Sequence, residues 1–177
     1  MRTIDRVSKI SRRNFLATTG AAALVVSGNA LVSPGEAWGL EVKTLTLETM
    51  RTLIQMARDI YPHDRLGDRY YAEAVKGYDA AAAKDAKLKT LLEDGTATLD
   101  TMAGSAHGAA YADVGWENDR VALLRQIEGS AFFQKIRGGL VTGLYNRKDV
   151  WAKLGYEGES ASKGGYIDRG FDDIDWL

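Results

Sequence analysis

Thr46-Leu47-Glu48-Thr49-Met50-Arg51-Thr52-Leu53-Ile54-Gln55-Met56-Ala57-Arg58-Asp59-Ile60-Tyr61-Pro62 is the stretch that decides the fold class of this chain. Met50, Leu53, Ile54, Ala57, Ile60 and Tyr61 recur at helical spacing and so share one face of an α-helix. Thr46 carries the hydroxyl an N-cap needs, and Glu48 puts an acid in the first turn, where the helix dipole favours it. Pro62 ends the helix, because it has no N–H and its ring clashes with the preceding turn. A helix with one apolar face must bury it, and the rest of the chain supplies other helices for that purpose.

Downstream, His63–Asp68 reads as a loop, with Asp68 as the cap of the next helix. That helix is predicted over Arg69–Ala82 with Tyr71, Ala74, Val75 and Tyr78 inward, and Gly77 is its weak point. Tyr70, Tyr71 and Tyr78 read as core and rim. A longer helix is predicted from Asp85 to Ala103, where Leu88, Leu91, Leu92, Leu99 and Met102 form one stripe. Gly95 lies on that stripe and would admit a close helix crossing. Gly104–Trp116, small and polar, reads as a loop. Glu117–Glu128 is helical by Val121, Leu124 and Ile127. Ser130 caps a further helix whose core side is Phe132, Phe133, Ile136, Leu140, Leu144 and Tyr145, and Gly138-Gly139 within it suggests close packing. Lys148–Leu154 is a short helical turn that buries Val150, Trp151 and Leu154 and stops at Gly155. No alternating pattern persists long enough for a strand. The expectation is an all-α domain of about five to six helices over residues 38–158.

Residues 159–177 form an extended tail rich in glycine, acids and aromatics, without helical period. A disordered tail is normally poor in aromatics. Tyr156, Tyr166, Phe171 and Trp176 therefore point to a groove, either on this domain or on another chain.

At the other end, Ser11-Arg12-Arg13-Asn14-Phe15-Leu16 precedes an apolar run, Leu16–Val26, and follows a mostly basic start with Arg2, Arg6 and Lys9. Paired arginines before Phe15-Leu16 and a modestly hydrophobic Ala/Gly/Thr-rich run resemble a twin-arginine export signal. At about 1.5 Å per residue the run is too short for a hydrocarbon core of about 30 Å. Two small-x-small sites fit a peptidase, Gly28-Asn29-Ala30 and Gly35-Glu36-Ala37. Cleavage after Ala37 is favoured, because Pro34 and Gly35 break helix just before it. The expected location is the periplasm, by way of the twin-arginine translocase.

Removing residues 1–37 from the 177 leaves 140, a length that suits one domain. The leader takes five Lys/Arg and two acids from totals of 23 and 24, so the remainder has 18 and 22 and a formal net charge of −4. An acidic domain without a basic block argues against nucleic acid as a partner. The chain has no cysteine, which excludes disulfides, thiolate metal sites, iron–sulfur clusters and thioether-linked haem.

Chemistry-bearing motifs are scarce. His63 and His107 are the only two histidines, they lack metal-ligand spacing, and they read as solvated loop residues. Asp168, Asp172, Asp173 and Asp175 cluster without EF-hand order and read as a solvated or partner-facing strip. No dinucleotide fingerprint, P-loop or nucleophile elbow occurs. A leader of the kind that exports folded cargo thus heads a chain with no evident cofactor equipment. The simplest account is a second polypeptide that holds the cofactor and leaves the cytoplasm attached to this one.

Three segments carry a family resemblance: Ala57-Arg58-Asp59-Ile60-Tyr61-Pro62-His63-Asp64, Ala131-Phe132-Phe133 through Leu144-Tyr145-Asn146, and Val150-Trp151-Ala152-Lys153-Leu154-Gly155-Tyr156-Glu157-Gly158. With the twin-arginine start, and in this order, they resemble the gluconate 2-dehydrogenase subunit 3 family over about Thr46–Gly158. The resemblance implies a non-catalytic small subunit of a periplasmic dehydrogenase acting on a sugar, polyol or glycoside. The partner it implies is a large subunit of the glucose–methanol–choline type carrying FAD, often with a cytochrome c subunit carrying haem. Catalytic, cofactor-binding and metal residues are then expected in this chain nowhere. Export rests on Ser11, Arg12, Arg13, Phe15 and Leu16, and the partner interface on Trp151, Tyr156, Tyr166, Phe171 and Trp176. The alternative is an autonomous periplasmic helical binding protein. An independent enzyme is a third reading, disfavoured for want of a nucleophile–base pair.

Overall fold

The Thr46 hydroxyl accepts the Thr49 N–H at 3.0 Å, so α1 (Leu47–Ile60) starts at the predicted cap. The computed structural model describes residues 42–168 and Phe171. All of them lie in the unit Pro34–Leu177. Among the described residues the fold is all-α, with no strand. After α1 come α2 (Asp68–Val75), α3 (Gly77–Ala82), α4 (Ala86–His107), α5 (Glu117–Gln126), α6 (Ala131–Gly143) and α7 (Lys148–Leu154). Two 3-10 turns, Tyr111–Asp113 and Ala161–Lys163, complete the described elements. None of these helices is long and apolar enough to cross a membrane.

α1 is the hub and packs against α2, α4, α5, α6 and the Tyr111–Asp113 turn. It is buried well beyond the predicted stripe, since Thr49, Thr52, Met56 and Asp59 are also inside. α4 packs against α1, α3, α5 and α6. Between these helices Leu53, Tyr71, Val75, Leu92, Leu99, Ile136, Leu140 and Leu144 are fully buried.

Three glycines on this scaffold allow close approach. A Cβ at Gly95 of α4 would fall within the Phe132 ring of α6. One at Gly139 would strike the Tyr78 hydroxyl, and one at Gly143 would sit 2.9 Å from the Ala74 carbonyl oxygen. The crossing predicted from Gly95 is therefore present. Of the pair Gly138-Gly139, only Gly139 is at a contact; Gly138 faces open space.

Several local expectations need correction. The helix over residues 69–82 is two helices, broken at Lys76 next to Gly77, where the helical ladder is weakest. Asp68 is the first residue of α2 rather than its cap; Gly67 holds that position, and the Asp68 carboxylate pairs with Arg58 of α1. The loop predicted from Gly104 is helical to His107, and the chain turns at Gly108 with φ +71°. Small polar residues look like loop, yet a left-handed glycine cap lets a helix run through them. In α5 the fully buried pair is Leu123 and Leu124, while Val121 and Ile127 are half-buried.

Two carboxylates do long-range work. Asp59 of α1, whose side chain is 1 % exposed, takes Arg120 of α5 bidentately, Nε to Oδ2 at 2.8 Å and Nη2 to Oδ1 at 2.9 Å. The Tyr111 hydroxyl also donates to Asp59, at 2.7 Å, and Arg120 donates to the Val114 carbonyl at 2.6 Å. Burial first, and then the Asp59 charge, push the Tyr111 phenol well above its ordinary value, so it stays a donor. Asp79 of α3 accepts three successive backbone N–H groups, from Lys43, Thr44 and Leu45, at 3.0, 2.9 and 2.8 Å. It ties the chain just ahead of α1 to the folded body.

Candidate functional site

Pro62 leaves a structural problem at the end of α1: the Tyr61 carbonyl loses its helical partner and the His63 N–H has none. Tyr71 of α2 solves both, because its hydroxyl donates to the Tyr61 carbonyl at 2.7 Å and accepts from the His63 N–H at 3.1 Å. The turn is thereby fixed, and His63 is aimed at the end of α6. There its Nε2 lies 2.7 Å from the Tyr145 hydroxyl, with the rings edge-on at 5.5 Å. Tyr61 packs edge-on against the same tyrosine at 5.4 Å. Burial raises the Tyr145 phenol, which remains protonated at neutral pH.

The other side of Tyr145 is held by α7. Trp151 Nε1 donates to the Tyr145 carbonyl at 2.6 Å, and Trp151 meets Tyr156 edge-on at 5.3 Å. Gly155, at φ +76°, turns the chain back so that the Tyr156 N–H reaches the Trp151 carbonyl at 2.9 Å. A Cβ at Gly158, where φ is +102°, would just touch the indole. Beside this cluster a cleft of about 470 Å³ is lined by Pro62, His63, Asp64, Arg65 and Leu154. Tyr70 carries the Arg69 guanidinium at 4.8 Å and that of Arg147 at 6.0 Å.

The segments Ile60–Asp64 and Trp151–Tyr156, far apart in sequence, thus converge on Tyr145. Sequence reasoning placed Tyr145 among core-facing residues and took His63 for a solvated histidine. His63 is half-buried and bonded, and His107 belongs to the last turn of α4. The available signal was that His63 follows a proline capped by aromatics, but nothing in its spacing names Tyr145 as the partner. Asp59 was missed as well, although a lone acid on the buried stripe of α1 implies a cation opposite it.

Of the interface residues singled out in the sequence, Trp151 is half-buried and Tyr156 is exposed at the edge of the cluster. Past Gly164 and Gly165, both with positive φ, the chain turns away and presents Tyr166, Ile167 and Phe171, the last two 85 % and 82 % exposed. Trp116, between the Tyr111–Asp113 turn and α5, is 79 % exposed and was not singled out. Trp176, the leader residues Ser11, Arg12, Arg13, Phe15 and Leu16, and the cleavage residue Ala37 lie outside the described residues. Among the described residues, no three His, Asp or Glu side chains gather as a metal site. The cluster offers a rigid aromatic surface with a charged cleft at its edge and exposed apolar side chains beyond it. No family model, curated protein or solved structure matches this chain.

Proposed function

We propose that this chain is the non-catalytic small subunit of a periplasmic FAD-dependent dehydrogenase for a sugar, polyol or glycoside. In this reading it carries the cofactor-loaded large subunit through the twin-arginine pathway and clamps it afterwards. FAD belongs to the partner, of the glucose–methanol–choline type, and haem to a cytochrome c subunit where one is present. The observation that supports it best is the convergence of Ile60–Asp64 and Trp151–Tyr156 on Tyr145, next to a run of exposed Tyr166, Ile167 and Phe171. Three large apolar side chains exposed within six residues are what an interface leaves uncovered in a lone subunit.

Export is the test. With Arg12→Lys/Arg13→Lys, both this chain and the flavoprotein are expected to stay in the cytoplasm, scored by fractionation and flavin fluorescence. Flavoprotein outside the inner membrane in that variant ends the carrier reading. The cleft beside His63 favours a second reading, an autonomous periplasmic binding protein. It predicts that the chain purifies alone and draws no flavoprotein from lysate.

A further inference from the structure

All eight tyrosines of the chain lie among the described residues, and their hydroxyl partners differ in kind. Tyr71 and Tyr78 donate to the carbonyls of Tyr61 and Lys135, which are not bases. The Tyr70 hydroxyl accepts from Arg69, and a cation beside a ring opposes loss of an electron from it. Tyr111 donates to Asp59, but that carboxylate is committed to Arg120 and the phenol is fully buried. Tyr61 has no hydroxyl partner among the described residues, and Tyr156 and Tyr166 are exposed. Only Tyr145 faces an imidazole, with His63 Nε2 at 2.7 Å. Burial keeps the Tyr145 phenol protonated, and among the described residues this nitrogen is the one acceptor within reach of its O–H. The hydroxyl therefore donates, Nε2 accepts, and Nδ1 carries the imidazole proton.

We propose that Tyr145 and His63 form a proton-coupled one-electron redox site. A diffusible one-electron oxidant takes an electron from the Tyr145 ring, while the phenolic O–H bond breaks and its proton bonds to His63 Nε2. The products are a neutral phenoxyl radical, an imidazolium and the oxidant reduced by one electron. A one-electron reductant reverses the step, and the proton returns to the phenol. Loss of the electron alone would leave a cationic radical in a half-buried ring, which desolvation penalises. Imidazole is a stronger base than the carboxylate or carbonyls that face the other bonded tyrosines, and the proton crosses a hydrogen bond already in place. The acceptor is held there, since the Tyr71 hydroxyl fixes both sides of the Pro62 turn. Its new charge forms at the edge of the cleft it shares with the exposed Asp64 and Arg65, where water reaches it. Trp151 connects the pair to the surface, because its indole bonds the Tyr145 carbonyl and its ring meets the exposed Tyr156 at 5.3 Å. None of this depends on the export reading or on a partner subunit.

The test is flash oxidation of the full chain by ruthenium(III) tris(bipyridine), generated with a cobalt(III) quencher and followed by absorbance and electron paramagnetic resonance. The parent is expected to show a fast phase of phenoxyl formation that is absent in Tyr145→Phe and intact in Tyr166→Phe. His63→Gln keeps a polar side chain without a base and should slow that phase on the order of a hundredfold, the scale of a positioned proton acceptor. Added imidazole should restore it in His63→Ala and leave the parent unchanged, since the cleft of about 470 Å³ borders the missing ring. A merely structural role for His63 gives no such rescue. A fast phase that survives in Tyr145→Phe overturns the proposal, and so does an equal rate in the parent and His63→Gln. Tyr145→Phe removes one oxygen and keeps the ring, so its result stands even where a His63 variant fails to fold.

Discussion

Asp59 ties α1 to α5 and to the Tyr111–Asp113 turn from inside the core. Its carboxylate is shared by Arg120 and Tyr111, and its side chain is 1 % exposed. Removing one member of such a pair strands a charge in the core. Arg120→Met is therefore expected to cost about 3–5 kcal/mol in urea unfolding, and Asp59→Leu/Arg120→Met distinctly less than that. Asp79 makes a pH-dependent contribution. Burial pushes its carboxyl up, but the N–H groups of Leu45, Lys43 and Thr44 and the Lys43 charge outweigh it, and it ends below the usual carboxylate range. With the folded value depressed, the stabilisation is fully present above the unfolded value of about 3.9 and fades as pH falls through the folded one. The difference in stability between the parent and Asp79→Asn should accordingly be constant near neutrality and shrink in acid, as read from unfolding midpoints against pH. Tyr71→Phe removes the hydroxyl that satisfies both sides of the Pro62 turn and should cost about 1–3 kcal/mol.

Among the helices, the crossing of α4 and α6 is the tightest constraint. Gly95→Ala gains helix propensity of about 1 kcal/mol, but its methyl overlaps the buried Phe132 ring. Overpacking of about 1–3 kcal/mol opposes that gain, so a net loss of stability is expected in denaturant titration, and Gly95→Ala/Phe132→Leu should recover part of it. This contact was legible beforehand, because a glycine on an apolar stripe has few other reasons to be there. Helix starts were legible where a hydroxyl or carboxylate caps its own first turn, as at Thr46, Asp85 and Ser130. Asp68 failed the same reasoning because Arg58, on another helix, competes for its carboxylate. The end of α4 was misplaced because composition does not say which of the closely spaced glycines Gly104 and Gly108 adopts the left-handed turn.

For the molecule as a whole, the segment after α7 is notable for the apolar side chains it leaves exposed. Its root is fixed on Trp151 through Tyr156, whereas Ile167 and Phe171 stand in solvent and Tyr166 is half exposed. If that run anchors the flavoprotein, Tyr166→Ala/Ile167→Ala/Phe171→Ala should weaken the complex by more than about 2 kcal/mol while leaving the subunit's own unfolding midpoint unchanged. Trp151→Ala should do both kinds of harm, since it also removes the indole that bonds the Tyr145 carbonyl and packs on Tyr156. Pull-down affinity read beside thermal melting separates the two effects.

The sequence by itself determined the helical class, the cap at Thr46, the stop at Gly155 and the close approach at Gly95. Each of these is set within a few residues, by periodicity, by a side chain reaching its own backbone, or by a missing Cβ. Only the tertiary structure decided which polar groups meet: Asp59 with Arg120 across 61 positions, Asp79 with Leu45 across 34, and His63 with Tyr145 across 82. Such pairs follow no sequence period. They form where the packing of apolar faces brings them, and burial then makes the Asp59 and Asp79 bonds obligatory.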